Sequence, residues 1–307
     1  MMYRYYLTLF IWLVCSISGA GLIDAEEMIA LRMITVDDRQ EAQQIHRQLK
    51  KGASFSALAA QKSLGPERQV WGYSGTVRLA DVQPELRTAL NGLRTGQISE
   101  VIELGQQFVI VKVISPQIER HSEAATRAAE QNKTEEAVKA LQAALKLERD
   151  NIKTYLQLAT VYSLAQRYKE ALPYLDKALD YAPQSTQVLM LRSAIYTNAA
   201  VASNNRSYAD TALQDYEKIL RISPYLAPSV HFGMGKIYLV VLRQRQKAIH
   251  HLAEAVKSQP NIAEVYELLI QAYYETKRYD EARNYLRLAQ SRGFEFPKLQ
   301  DALRNVQ

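Results

Sequence analysis

Five histidines and a single cysteine are the scarcest side chains of this 307-residue sequence that could serve in proton transfer, nucleophilic attack or metal ligation. Their spacing assembles no site. His46 falls on the polar side of an expected helix and His121 at a domain junction, with His231 the fifth of the set. His250 and His251 are adjacent, so on a helix they point in different directions. There is no HExxH pair, no paired glycine-rich phosphate loop and no Gly-x-Ser-x-Gly turn, which leaves metalloenzyme, nucleotide-dependent and serine-hydrolase chemistry without support. Neither a metal nor a cofactor is expected.

The cysteine, Cys15, lies in a leader-like segment. Residues 1–20, MMYRYYLTLFIWLVCSISGA, place Arg4 before an apolar run from Tyr5 to Ile17 and end in Ser18, Gly19 and Ala20, the layout of a secretory signal peptide. Val14 before Cys15 is too large for a bacterial lipoprotein signal. Cleavage after Ala20 leaves no thiol, which removes disulfides and cysteine-zinc sites. The expected location is therefore the periplasm or cell envelope, and an uncleaved leader would tether the protein to a membrane. Formal charge is +6, from 38 basic and 32 acidic residues. Nearly all of that excess lies after Pro116, where the expected helices present it to solvent. No interleaving of aromatic and basic residues on a sheet points to nucleic acid.

The positioning elements show in a repeat. Ala137, Ala171, Ala212, Ala248 and Ala282 are spaced by 34, 41, 36 and 34 residues. Each is followed four positions on by a bulky residue (Leu141, Leu175, Tyr216, Leu252, Leu286) and three further by Ala144, Ala178, Ile219, Ala255 or Ala289. Pro183, Pro224 and Pro260 close three units, and Tyr162 and Tyr273 stand nine residues before their anchors. A small residue belongs where two helices approach most closely, large ones fill the gap between units, and proline ends a helix because it lacks an amide hydrogen. This pattern resembles the tetratricopeptide (TPR) repeat. It implies five helical hairpins in an all-α superhelix over residues 117–296, and a capping helix over 297–307 that starts near Pro297. The 41-residue spacing is expected to loop out, or fray, around AVASNNRSYAD. The TPR concave face is expected to bind protein or peptide clients through Lys153, Leu156, Thr160, Ser163, Met190, Asn198, Gln271 and Tyr274.

Residues 21–116 read differently. IALRMITV is a β-prone strand. DRQEAQQIHRQLKKG is a helix capped by Asp38, with Ala42, Ile45 and Leu49 on one face. A second helix begins at Ser54, a third runs from Pro84 to Leu93, and QQFVIVKVI closes the segment as a strand. With ALRMITV, EAQQIHRQLKKGASFSALA and PELRTALNGLRTGQISEVIELGQQFVIVKV in this order, the segment resembles the parvulin (PpiC-like) peptidyl-prolyl isomerase domain, an α+β fold.

That resemblance implies two catalytic histidines, an acidic or thiol group, and an apolar pocket with a phenylalanine. Here the histidine positions are Met33 and Val109, and the third falls near Gly65 with Ser63 the nearest polar side chain. The pocket reads as Met33, Ser63, Val82, Leu86, Phe108 and Val109, so no catalytic residue is assigned. These side chains either grip an apolar or proline-containing segment or simply fill the core. The combination implies an exported scaffold or chaperone of the bacterial envelope with a degenerate isomerase module. The alternative is an active isomerase whose repeats recruit clients.

Overall fold

The computed structural model describes residues 28–258 and 261–306. The expected signal segment of residues 1–20, with Cys15, and Pro260 lie outside them. The described chain forms two compact units: residues 28–161 with 180–182, and residues 162–179 with 183–306. Change from strand to helix at residue 117 thus precedes the division between units.

The first unit is built on a four-stranded antiparallel sheet of order β2-β1-β4-β3. Its strands are β1 (Met28–Val36), β2 (Tyr73–Arg78), β3 (Ile102–Leu104) and β4 (Gln107–Ile114). Strand β1 is buried along most of its length, as a central strand covered on both faces must be. On one face Ile34, Val36 and Ile110 pack against helices α1 (Arg39–Lys50) and α2 (Phe55–Lys62). The Asp38 side chain accepts from the Gln40 and Glu41 amides at the start of α1, and Ser54 caps α2 through the Ala57 amide. Further along the same face Ala30 and Ile114 meet Ile118 of α4 (Gln117–Glu130) and Ala144 of α5 (Thr134–Leu147). The opposite face is closed by α3 (Pro84–Leu90).

Helices α4 and α5 begin a series of five consecutive helix pairs among the described residues. It continues with α6 (Ile152–Leu164), α7 (Tyr168–Tyr181), α8 (Thr186–Ser203), α9 (Arg206–Ile222), α10 (Ala227–Lys236), α11 (Arg245–Ser258), α12 (Ala263–Glu275) and α13 (Tyr279–Ser291). Helix α14 (Pro297–Arg304) follows. All five anchor alanines are completely buried. Each first helix ends on one left-handed residue, Asn132, Gln166, Asn204, Arg243 or Lys277. The amide after it reaches back to close a Schellman turn, as from Lys133 to Ala128 and from Arg278 to Tyr273. In the fourth hairpin that bond runs from Gln244 to Tyr238, one residue further back, because residues Ile237–Val241 form a π-helical turn that absorbs an inserted residue.

The long spacing in the third repeat is not a loop. Helices α8 and α9 are 18 and 17 residues long, against 13 and 14 for α6 and α7, and only Asn204 and Asn205 separate them. Asn204 takes the left-handed conformation and Asn205 caps α9 through the Ser207 and Tyr208 amides. Stacking one more turn on each helix buries Ala199, Ala200 and Ala209, which a loop would have left in water.

Gly233 of α10 marks the closest approach in this region, since a Cβ there would come 2.1 Å from the Tyr216 hydroxyl. Tyr216 is itself buried and its hydroxyl lies 3.2 Å from that of Thr197. Gly233→Ala is expected to cost about 1–3 kcal/mol by overpacking, read as a lower urea midpoint with an unchanged m-value.

Candidate functional site

The side chains of one sheet face lie where an isomerase pocket is expected. Met33 on β1 pairs with Val111 on β4, and Thr35 pairs with Val109, so Met33 and Val109 sit diagonally on the same face. Val82 and Leu86 arrive on the segment leading into α3 and on α3 itself. They join Leu31, Leu90, Ile102, Val109, Val111 and Val113 in one buried cluster, with Met33 partly buried against it. Both positions where the resemblance implies histidines thus carry apolar side chains, Met33 and Val109, on a face that also holds the buried Thr35.

Phe108 does not belong to it. Successive residues of a strand point to opposite faces, so Phe108 and Val109 cannot share a pocket. Phe108 instead packs with Ile34, Ile45 and Phe55, and lines a separate cleft of about 270 Å³ with Arg39, His46, Arg47, Glu100 and Glu103. Ser63 is buried, and its hydroxyl oxygen accepts the Thr35 amide at 2.9 Å and donates to Glu67. It secures the edge of β1 rather than facing the apolar cluster.

Sequence reasoning passed over the most strongly bonded polar group of the first unit. Arg32, in the middle of β1, is 1% exposed, and its Nε and Nη2 donate to the Glu148 carboxylate, each at 2.9 Å. Its Nη1 donates to the Trp71 carbonyl at 2.7 Å. Glu148, just past α5, also receives Lys112 Nζ at 3.1 Å and Asn151 Nδ2 at 3.1 Å. Asp150 takes Lys112 at 3.4 Å and the Ser54 hydroxyl at 2.9 Å. Burial pushes the Asp150 carboxyl up, but the Lys112 charge and the Ser54 bond outweigh it and hold its pKa below the usual carboxylate value. The signal was a charged residue at an inward position of an otherwise apolar strand, which requires a buried partner.

The expected client-binding residues divide between the units. Lys153, Leu156 and Thr160 belong to the first, where Lys153 pairs with Glu119 at 3.5 Å and lies 5.2 Å from the Tyr73 ring centroid. The Thr160 hydroxyl donates to the Leu156 carbonyl. Ser163, Met190, Asn198, Gln271 and Tyr274 belong to the second. Asn198 is exposed, Ser163 is half-buried, and Met190 packs partly into the core between α8 and α9. Gln271 donates to Glu275 at 2.9 Å, and Tyr274 rests on Tyr279 with centroids 5.7 Å apart.

The histidines also rearrange the expectation. His46 Nε2 stands 3.5 Å from Glu100. His251 turns toward His231, their Nδ1 atoms 2.8 Å apart, while adjacent His250 remains exposed. No group of three or more His, Cys, Asp or Glu side chains among the described residues is arranged to hold a metal ion. Among the same residues, no helix is long and apolar enough to cross a membrane.

Comparison with known proteins agrees with both halves. Residues 30–115 match the PPIC-type PPIASE domain, and residues 128–195 and 237–296 match tetratricopeptide repeat models. The chain joins a parvulin-type domain to tetratricopeptide repeats. Over 77 residues it is 39% identical to "Chaperone SurA" of Bordetella avium, covering 25% of this chain and 15% of that protein. Over 92 residues it is 34% identical to "Foldase protein PrsA 1" of Streptococcus pyogenes, covering 28% of this chain and 26% of that protein. The matches thus span about a quarter or less of those relatives. Among solved structures, the MamA RS-1 ArsTM double mutant covers 59% of this chain and 96% of its own at 16% identity and a TM-score of 0.51. A tetratricopeptide repeat protein from Parabacteroides merdae covers 61% of this chain and 69% of its own at 18% identity and a TM-score of 0.50. At these identities the likeness concerns the fold alone.

Proposed function

We propose that this protein is an exported chaperone or assembly scaffold of the bacterial envelope. In this reading its repeats bind polypeptide clients, and its parvulin-type domain holds apolar or proline-containing segments without catalysing their isomerisation. The observation that carries the second half is that apolar Met33 and Val109 occupy, on one sheet face, the two positions where the resemblance implies histidines. Twisting a prolyl bond requires groups that favour the twisted amide over either planar form, and neither of these two side chains can donate or accept a proton. The relatives named as a chaperone and a foldase support a role with unfolded chains. Export rests on the pattern of residues 1–20, and client capture on the repeats.

A second reading, an active isomerase, draws on the relative named as a foldase and is settled by the same experiment. Protein comprising residues 21–307 is added to a proline-limited refolding reaction and, separately, to an aggregating unfolded protein. Suppressed aggregation with an unchanged slow folding rate is the expected result. A slow phase that accelerates in proportion to added protein would replace the scaffold with the enzyme. The N-terminal residue of protein recovered from an envelope fraction is expected to be Gly21.

A further inference from the structure

The fourth hairpin contains a pair of imidazoles that the proposed function does not use. His231 on α10 and His251 on α11 face each other through Nδ1 atoms 2.8 Å apart, with ring centroids at 5.0 Å. At that separation one Nδ1 must carry a proton and the other must not, because an imidazole nitrogen donates or accepts but cannot do both. The neutral pair satisfies this if one ring adopts the Nδ1–H tautomer and the other the Nε2–H tautomer. A singly protonated pair satisfies it too. A doubly protonated pair cannot, since two N–H groups would then point at each other across 2.8 Å.

The surroundings weigh against the second proton. Tyr238 of the π-helical turn stacks on His251 at 5.4 Å and 8°, and Lys247 Nζ already sits 5.2 Å from the centroid of the Tyr238 ring. A charged His251 would share one aromatic ring with an existing cation. Burial, then the His231, His250 and Lys247 charges, lower the His251 pKa to about 4. His231 is lowered chiefly by burial, with Glu254 acting in the opposite direction and His250 adding to the lowering. From α9, Glu217 and Asp210 act on Tyr238. From α12, Glu264 and Glu275 are engaged by Lys236 and Arg245.

We propose that the His231–His251 bond is a proton-operated latch that holds α10 to α11 at neutral pH and releases this hairpin in acid. A histidine whose folded pKa is depressed contributes stability that is complete above its ordinary value near 6.5 and is lost as pH falls toward its folded value. The window is therefore between about pH 6.5 and pH 4.

Hydrogen exchange of the protein comprising residues 21–307, corrected for the intrinsic pH dependence, tests this at pH 7, 5.5 and 4.5. Amides of α10 and α11 are expected to lose protection at least tenfold more than those of α12 and α13. His251→Phe keeps the stack on Tyr238 and removes the bond and the His251 titration, leaving only that of His231, so it should reduce that selective loss at least severalfold. Imidazole nitrogen NMR at pH 7 should show one ring of the pair as the Nδ1–H tautomer. Uniform exchange across the hairpins, a selective loss unchanged in His251→Phe, or two Nε2–H tautomers would each overturn the latch.

Discussion

Replacing Glu148 with alanine is expected to destabilise the first compact unit by about 3–5 kcal/mol, because it strands a buried guanidinium. Arg32 is 1% exposed and would keep only the Trp71 carbonyl of its present acceptors. Lys112 would lose one of its two carboxylates as well. The sign and size come from the stranded charge rather than from the worth of the pair itself. Arg32→Met with Glu148→Leu should therefore lose much less than Glu148→Ala alone. Trp71 is the reporter: it is buried, its carbonyl belongs to the network, and the sequence has only one other tryptophan, Trp12, which protein starting at residue 21 lacks. Urea titrations followed by its emission should show the midpoint fall in Glu148→Ala and recover in the double variant. A loss below about 1 kcal/mol would mean that the pair is not buried as described.

The same geometry governs how the isomerase-type domain can be studied. A fragment ending near residue 116 keeps Arg32 and discards Glu148, Asp150 and the Ala144 contact. Inactivity of such a fragment would report its instability as readily as its chemistry. Assays therefore belong on protein that extends through the first hairpin and preferably through all of them.

Where local pattern and burial agree, the elements were legible. Asp38 and Ser54 announced α1 and α2 because capping is local chemistry. The anchor alanines announced the hairpins because close helix contact admits only small side chains. Strand β2 escaped notice: YSGTVR is only partly buried and has a glycine, and its place is fixed by pairing with β1 across a register shift at Leu31 and Arg32. The third repeat misled because asparagine and serine usually mark loops, whereas here they cap and terminate two lengthened helices. Met33, Val82, Leu86 and Val109 were found by resemblance and do cluster, while Phe108 failed the alternation of the strand. Arg32 and Glu148 are 116 residues apart, and no local rule pairs them.

The second large effect is expected at Arg192, which holds three helices of the second unit together. Its Nε and Nη2 form a two-pronged bond with Asp215 of α9 at 2.8 and 2.7 Å, and its Nη1 reaches Asp176 of α7 at 2.8 Å. Burial works against the guanidinium charge, but the Asp215 and Asp176 carboxylates outweigh it and raise the pKa above its ordinary value. Asp215 is only 4% exposed, so Arg192→Ala leaves a carboxylate with little access to water. Because a fifth of the arginine side chain remains in solvent, the cost should fall below that of the fully buried pair, at about 2–3 kcal/mol. Arg192→Lys restores the charge but not the planar fork, and should recover only part of the loss. Asp215→Asn with Arg192→Gln removes both charges and leaves a neutral hydrogen bond in reach, so it should be milder than Arg192→Ala. Thermal unfolding by circular dichroism ranks the variants. A midpoint for Arg192→Lys equal to that of the unaltered protein would mean that the alkyl stem and its charge, rather than the fork on Asp215, supply the stability.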